Sequence, residues 1–169
     1  MRNHRCIFPE GKEELVREAA SFSLKGLASG AFVFGSLESE DFVRFFSALG
    51  RTKSGKSLLE RAIGRNQLAV RVPSEAYFPS GKFVPAELLR RIELIHGGSL
   101  KSGFSGTFFF GTASFILPEK NVPGANRFFE YEAMVNGVLR GKSRVNALCI
   151  YEREIFGKEL LRESLRIHS

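Results

Sequence analysis

At 169 residues, with 43% hydrophobic and 25% charged side chains, the chain suffices for one domain with a real core and is too short for two comfortable ones. Its apolar runs fall far below the roughly 20 residues of a membrane span, and its first residues lack the apolar core of a secretory signal, so a cytoplasmic protein with no membrane partner is expected. A formal charge of +7 keeps an anionic partner in view, but the cations are spread from Arg17 and Lys25 to Arg140 and Arg162, and the densest run, Arg51 to Lys56, has no aromatic residues interleaved for stacking.

Arg5 to Phe8 reads as a first strand, and Leu15, Ala19 and Phe22 carry the apolar spacing of a helix from about Lys12 to Leu27, which Gly30 stops. Ala31 to Phe34 is a second strand. Ser39 suits the N-cap of a helix with Phe42, Phe45, Phe46 and Leu49 on one face, ended by Gly50. Leu58 to Ile63 marks a short helix and Leu68 to Val72 a third strand, closed by Pro73. Ser74 to Val84 reads as a long loop. Pro85 opens a helix through Leu88, Leu89, Ile92 and Ile95, with Gly97 and Gly98 close behind.

Gly106 to Leu117 holds four of the seventeen phenylalanines and no charge, as a strand buried on both faces at the centre of a sheet does. Phe128, Tyr131, Val135 and Val138 set a helix, Ala147 to Tyr151 a fifth strand, and Lys158 to Ile167 a last helix. Alternating strands and helices predict a three-layer α/β/α domain with a mostly parallel sheet of about five strands.

Gly50 to Ser57 matches the phosphate-loop pattern G-x-x-x-x-G-K-[ST] and would place Lys53, Lys56 and Ser57 on a phosphate. The chemistry needs a buried strand before the loop, so that backbone N–H groups and a helix N-terminus converge on the anion. Here a helical stripe precedes it. A carboxylate ending a later strand should also hold Mg²⁺, yet the phenylalanine strand offers Gly111 and Thr112. An exposed basic turn is the better reading, with an ATP-binding switch as the alternative and a basic nucleic-acid or protein-binding module as a second one.

His4 and Cys6 share one face of the first strand, and Cys149 approaches them if the first and fifth strands are neighbours. A metal site wants more ligands, so buried thiols and a hydrogen-bonded histidine are expected and no metal or cofactor is assigned. His96 and His168 show no partner in the sequence. With no G-x-S-x-G elbow and Asp41 as the sole aspartate, hydrolase chemistry finds little support. The polar residues at the carboxyl ends of the strands, Glu10 and Lys12, Ser36 and Glu38, Ser74 to Tyr77, Thr112 and Ser114, and Tyr151 to Arg153, surround the usual crevice of an open α/β sheet.

In this order the segments resemble the MEDS domain, the sensory module of the dichloromethane dehalogenase regulator and of many prokaryotic signalling proteins. The likeness covers nearly the whole chain. It rests on His4-Arg-Cys-Ile-Phe before Glu13-Glu14-Leu15, on Gly26 to Gly30, on Glu75 to Phe83 before Pro85, on Glu130 to Asn136, and on Ala147 to Tyr151. The resemblance implies a degenerate RecA-like or KaiC-like fold without functional Walker motifs, sensing small hydrocarbon-derived molecules and without catalysis. It puts the ancestral phosphate loop at Phe8 to Lys12. The family often carries an acid and a tryptophan where this chain has Thr112 and Phe115, which implies a more apolar pocket.

The expectation is therefore a single non-catalytic sensory domain over residues 1–169, part of a longer signalling protein because one more strand is expected after Ser169. A small apolar or amphipathic ligand is placed above the fourth strand, floored by Phe108 and Phe110 and met by Tyr77, Thr112, Ser114, Glu132 and Tyr151. Its partners would be an output domain or signalling protein, with transcription regulation as the expected setting, a homodimer left open and direct nucleic-acid contact not expected.

Overall fold

The structure, a computed structural model, describes residues 3–139 and 142–168. Arg140 and Ser169 lie outside the described residues. The strands are β1 (His4–Ile7), β2 (Phe32–Ser36), β3 (Leu68–Arg71), β4 (Thr107–Thr112) and β5 (Val145–Ile150). Between and after them run α1 (Lys12–Ala28), α2 (Phe42–Leu49), α3 (Lys53–Gly64), α4 (Pro73–Tyr77), α5 (Pro85–Lys101), α6 (Phe128–Leu139) and α7 (Lys158–His168). The sheet is parallel throughout in the order β1-β5-β4-β2-β3, so the phenylalanine strand β4 lies at its centre.

Because side chains alternate along a strand, β4 serves two cores. Phe108 and Phe110 pack with Val33, Leu148 and Ile150 against α1, α2 and α3. Phe109 turns the other way, with Ala147 and Cys149, towards α5, α6 and α7. Both faces are thus covered, which is what makes these strands apolar through their length. This is the three-layer, RecA-like arrangement expected from the sequence.

Three local readings change. The segment from Gly106 does not stay extended to Leu117: β4 ends at Thr112, and a 3-10 turn takes Ser114–Ile116. Pro73 does more than close β3. Its fixed φ suits a helix start, and α4 occupies the beginning of the supposed loop. Helix α5 runs on through Gly97 and Gly98 to Lys101, because Ser99 is buried and its Oγ lies 2.7 Å from Thr107 Oγ1, anchoring that last turn to β4.

Candidate functional site

The carboxyl ends of the strands gather charge, as the sequence suggests, but the charges satisfy one another. Lys12 Nζ, at the start of α1, lies 3.2 Å from Asp41 Oδ2, 3.3 Å from Glu40 Oε1 and 3.5 Å from Glu152 Oε1. Burial alone would lower the lysine pKa, but the hydrogen bond to Asp41 and the charge of Glu152 outweigh it and raise it. Burial leaves the Glu152 carboxyl above its usual range despite Lys12. Nearby, Ser114 Oγ donates to Glu38 Oε1 at 2.6 Å, and Arg153 pairs with Glu10. In the place the resemblance gives to a phosphate loop, three carboxylates already surround the cation, and a phosphate there would meet repulsion from Asp41 and Glu152.

The stretch Gly50 to Ser57 is a short turn after α2, residues 50–52, that runs straight into the start of α3 at Lys53, so no strand precedes it. Thr52 accepts a hydrogen bond from the Gly55 N–H at 3.0 Å, capping α3 from within. Gly55 is needed for packing, since a Cβ there would overlap the Leu49 carbonyl oxygen. Lys53, Lys56 and Ser57 are exposed.

The pocket lies on one face of the sheet, beneath α5 and α6. A cavity of about 60 Å³ is lined by Phe34, Phe109, Gly111 and Ala147 from the strands and by Leu88, Ile92, Ile95, Tyr131 and Val135 from the helices. Its walls are largely apolar, with polar groups at few points. Ser36 Oγ, in a residue 2% exposed, has no hydrogen-bond partner among the described residues. The Tyr77 hydroxyl reaches over Gly111, whose missing side chain admits it: a Cβ there would overlap that oxygen and lie 3.0 Å from the ring carbon bearing it. Arg91 Nη1 donates to the carbonyls of Glu75 and Ala76, at 2.6 and 3.2 Å, fixing the end of α4 from which Tyr77 projects.

One wall of the cavity is a buried polar knot. His4 (β1), Glu132 (α6) and Cys149 (β5) line the cavity, and His168, at the end of α7, joins them behind it. Glu132 Oε2 lies 3.4 Å from His4 Nε2, 3.2 Å from His168 Nε2 and 3.1 Å from both Cys149 Sγ and Tyr151 Oη. Burial would raise the Glu132 carboxyl, but hydrogen bonds from His168 and His4 hold its pKa down at about 2. Burial would lower His168, but hydrogen bonding to Cys6 and Glu132 and the carboxylate charge raise it to about 10. The Cys149 thiol and the Tyr151 phenol are pushed up, by burial first and by the Glu132 charge second.

Of the residues picked out from the sequence, Tyr77, Phe110 and Glu132 line the cavity. The Phe110 ring itself packs on Phe45, and Phe108 on Phe22, both in the core of the other face. Thr112 is buried with its Oγ1 unpartnered among the described residues. Ser114 is engaged by Glu38, and Tyr151 by Glu132. Sequence reasoning did not connect Glu132 and His168 with His4 and Cys149. A signal was present: Glu132 falls four residues after Phe128 and three before Val135, on the apolar face of α6, where a carboxylate needs buried partners.

A second concavity, an open groove of about 700 Å³, has Arg65, Arg71 and Arg91 beside Phe32, Phe34 and Phe104. No described helix is long and apolar enough to cross a membrane. The sequence model of the family described as MEthanogen/methylotroph, DcmR Sensory domain (MEDS) matches residues 3–169. No curated protein matches the chain.

Proposed function

The chain belongs to the MEDS family of sensory domains, and from that premise we propose that it senses a small, mostly apolar molecule held between the sheet and helices α5 and α6. The observation that carries the reading is the cavity itself: apolar walls, a buried Ser36 hydroxyl without a partner, and the Tyr77 hydroxyl aimed across Gly111. A cavity of about 60 Å³ suits a molecule of a few heavy atoms, such as a short alcohol, acid or halocarbon. Ser36 and Tyr77 would orient its polar end, and Phe34, Phe109 and Ile92 would hold its carbon. Glu132 contributes through the polar wall. A bound molecule would bear on α5 and α6 together, and those helices would pass the event to an output domain or a partner protein. The reading is non-catalytic and calls on no cofactor.

The test is thermal unfolding of the protein against a panel of short alcohols, carboxylic acids, halocarbons and fatty acids. A ligand at a hundred times its dissociation constant adds about 2.7 kcal/mol, or roughly 5 to 10 °C at this size. A panel producing no shift removes the reading. The anion-binding alternative finds its support in the arginine and phenylalanine groove. It predicts DNA affinity that falls steeply with added salt, and undetectable binding at low salt disposes of it. An ATP switch at Gly50 to Ser57 has weaker support, since the loop's glycine and threonine are spent on packing and capping.

A further inference from the structure

The knot at the cavity wall is unusual in what it does with lone pairs. His4 Nδ1 lies 2.8 Å from Asn136 Oδ1, and the orientation of that amide is fixed because its Nδ2 donates to the Ile167 carbonyl. His168 Nδ1 lies 2.7 Å from the Ser164 carbonyl oxygen. Both acceptors can only accept, so both Nδ1 atoms carry the ring proton. The two Nε2 atoms face each other 3.1 Å apart and beside the Glu132 carboxylate, so a proton on one of them serves the contact, and a metal ion that displaces that proton meets both lone pairs.

Two further donors close around the same point. Glu132 Oε2 lies 3.4 and 3.2 Å from the two Nε2 atoms, and Cys149 Sγ lies 3.2 Å from His4 Nε2 and 3.1 Å from Glu132 Oε2. All four ligand atoms fall within 4.8 Å of one another. In a tetrahedral site with bonds of about 2.0–2.1 Å to nitrogen or oxygen and about 2.3 Å to sulfur, neighbouring donors stand about 3.3–3.7 Å apart. Five of the six donor pairs stand at 3.1–3.4 Å, within a few tenths of an ångström of these separations, and the sixth, His168 Nε2 with Cys149 Sγ, lies within 4.8 Å and has to close as an ion is bound.

We propose that His4, Glu132, Cys149 and His168 form a tetrahedral binding site for a divalent transition-metal ion of the zinc class. The donor set, two imidazoles, one carboxylate and one thiolate, suits zinc and not magnesium or calcium, which prefer oxygen alone. The outer partners are already present: Asn136 and Ser164 orient the two rings, and Tyr151 Oη supports the carboxylate. Binding displaces the Cys149 thiol proton and any proton shared between the two rings, leaving thiolate and neutral imidazoles on the ion. The site ties together β1, β5, α6 and α7. It stands independently of the ligand reading, since an ion binds here whether or not the cavity holds a molecule.

The test uses the full, untagged chain stripped with a chelator and then titrated with Zn²⁺ or Co²⁺ alone. The expected result is one ion per chain, and for Co²⁺ the intense visible absorption of a tetrahedral site with a thiolate charge-transfer band in the near ultraviolet. Cys149→Ser removes that charge-transfer band. His168→Ala, at the end of the last helix and outside the sheet, lowers Zn²⁺ affinity at least tenfold, and Asn136→Ala lowers it by about 10- to 100-fold through the lost ring support. A folded parent protein that retains neither ion, or a cobalt spectrum lacking the thiolate band, overturns the proposal. So does Zn²⁺ affinity unchanged in folded His168→Ala. If a variant fails to fold, the parent's cobalt spectrum decides alone.

Discussion

At the scale of single residues, Gly111 is where the sequence and the site meet. A glycine at the end of a central strand weakens it in isolation, yet here it admits the Tyr77 hydroxyl over the sheet. Gly111→Ala should therefore cost about 1–3 kcal/mol by overpacking, read from urea denaturation. The cost should shrink in a Tyr77→Phe background, where the oxygen that meets the new methyl is gone; an equal cost in both backgrounds would mean that the clash lies elsewhere. Glu132 and His168 set a pH dependence in the metal-free protein. The Glu132 carboxyl, held at about 2 from an ordinary 4.5, contributes stability that is present above pH 4.5 and lost as pH falls towards 2. His168, raised to about 10 from 6.5, contributes stability that is present below pH 6.5 and lost as pH rises towards 10. Chemical denaturation across pH, with a chelator present, should show these contributions overlapping fully between about pH 4.5 and 6.5. A curve still rising from pH 6.5 to 9 would contradict the His168 assignment.

At the scale of elements, Lys12 shows how a helix start and two strand ends lock together. Its ammonium at the N-terminus of α1 compensates Asp41, which is 1% exposed, and Glu152 beyond β5. Lys12→Met leaves these carboxylates without their shared cation and should cost about 1–3 kcal/mol, discounted because the lysine side chain is itself 33% exposed. Part of the loss should return on acidification, because burial already holds the Glu152 carboxyl above its usual range and protonation removes an uncompensated charge. A loss that grows on acidification would show that the lysine matters through packing. The elements themselves were largely legible in the sequence, because strands buried on both faces read as unbroken apolar runs, and the Phe108–Phe110 run placed the sheet's centre. What escaped depended on partners distant in sequence. The run of α5 through Gly97 and Gly98 rests on Thr107, which anchors Ser99 from the next strand, and Pro73 reads only as closing β3 where it also opens α4. His168 had no visible role because its partners lie on β1 and α6, and no local periodicity encodes that meeting. Tyr77 and Glu132 were picked out one at a time, but the alternation of β4 sends the Phe108 and Phe110 rings away from the cavity and leaves Phe109 and Gly111 to floor it.

At the scale of the molecule, the cavity is a departure from the close packing on which the rest of the domain relies. At about 24 cal/mol per Å³, a void of about 60 Å³ forgoes about 1.4 kcal/mol, a sizeable share of a marginal stability. On the proposed reading such a void has a purpose, since the free energy withheld in the empty state would be returned when a ligand filled it, and the layer of α5 and α6 above it would register the change. Val135, on α6 and 3% exposed, gives the direct test of this trade. Val135→Ile adds one methylene into the cavity and should raise the stability of the ligand-free protein by up to about 0.8 kcal/mol, while weakening any ligand found by thermal shift, because both compete for the same space. Stability and response should thus move in opposite directions. If Val135→Ile instead lowers stability by about 1–3 kcal/mol, as overpacking does, the space beneath α6 is not free to be filled, and a ligand would have to displace the helix to enter.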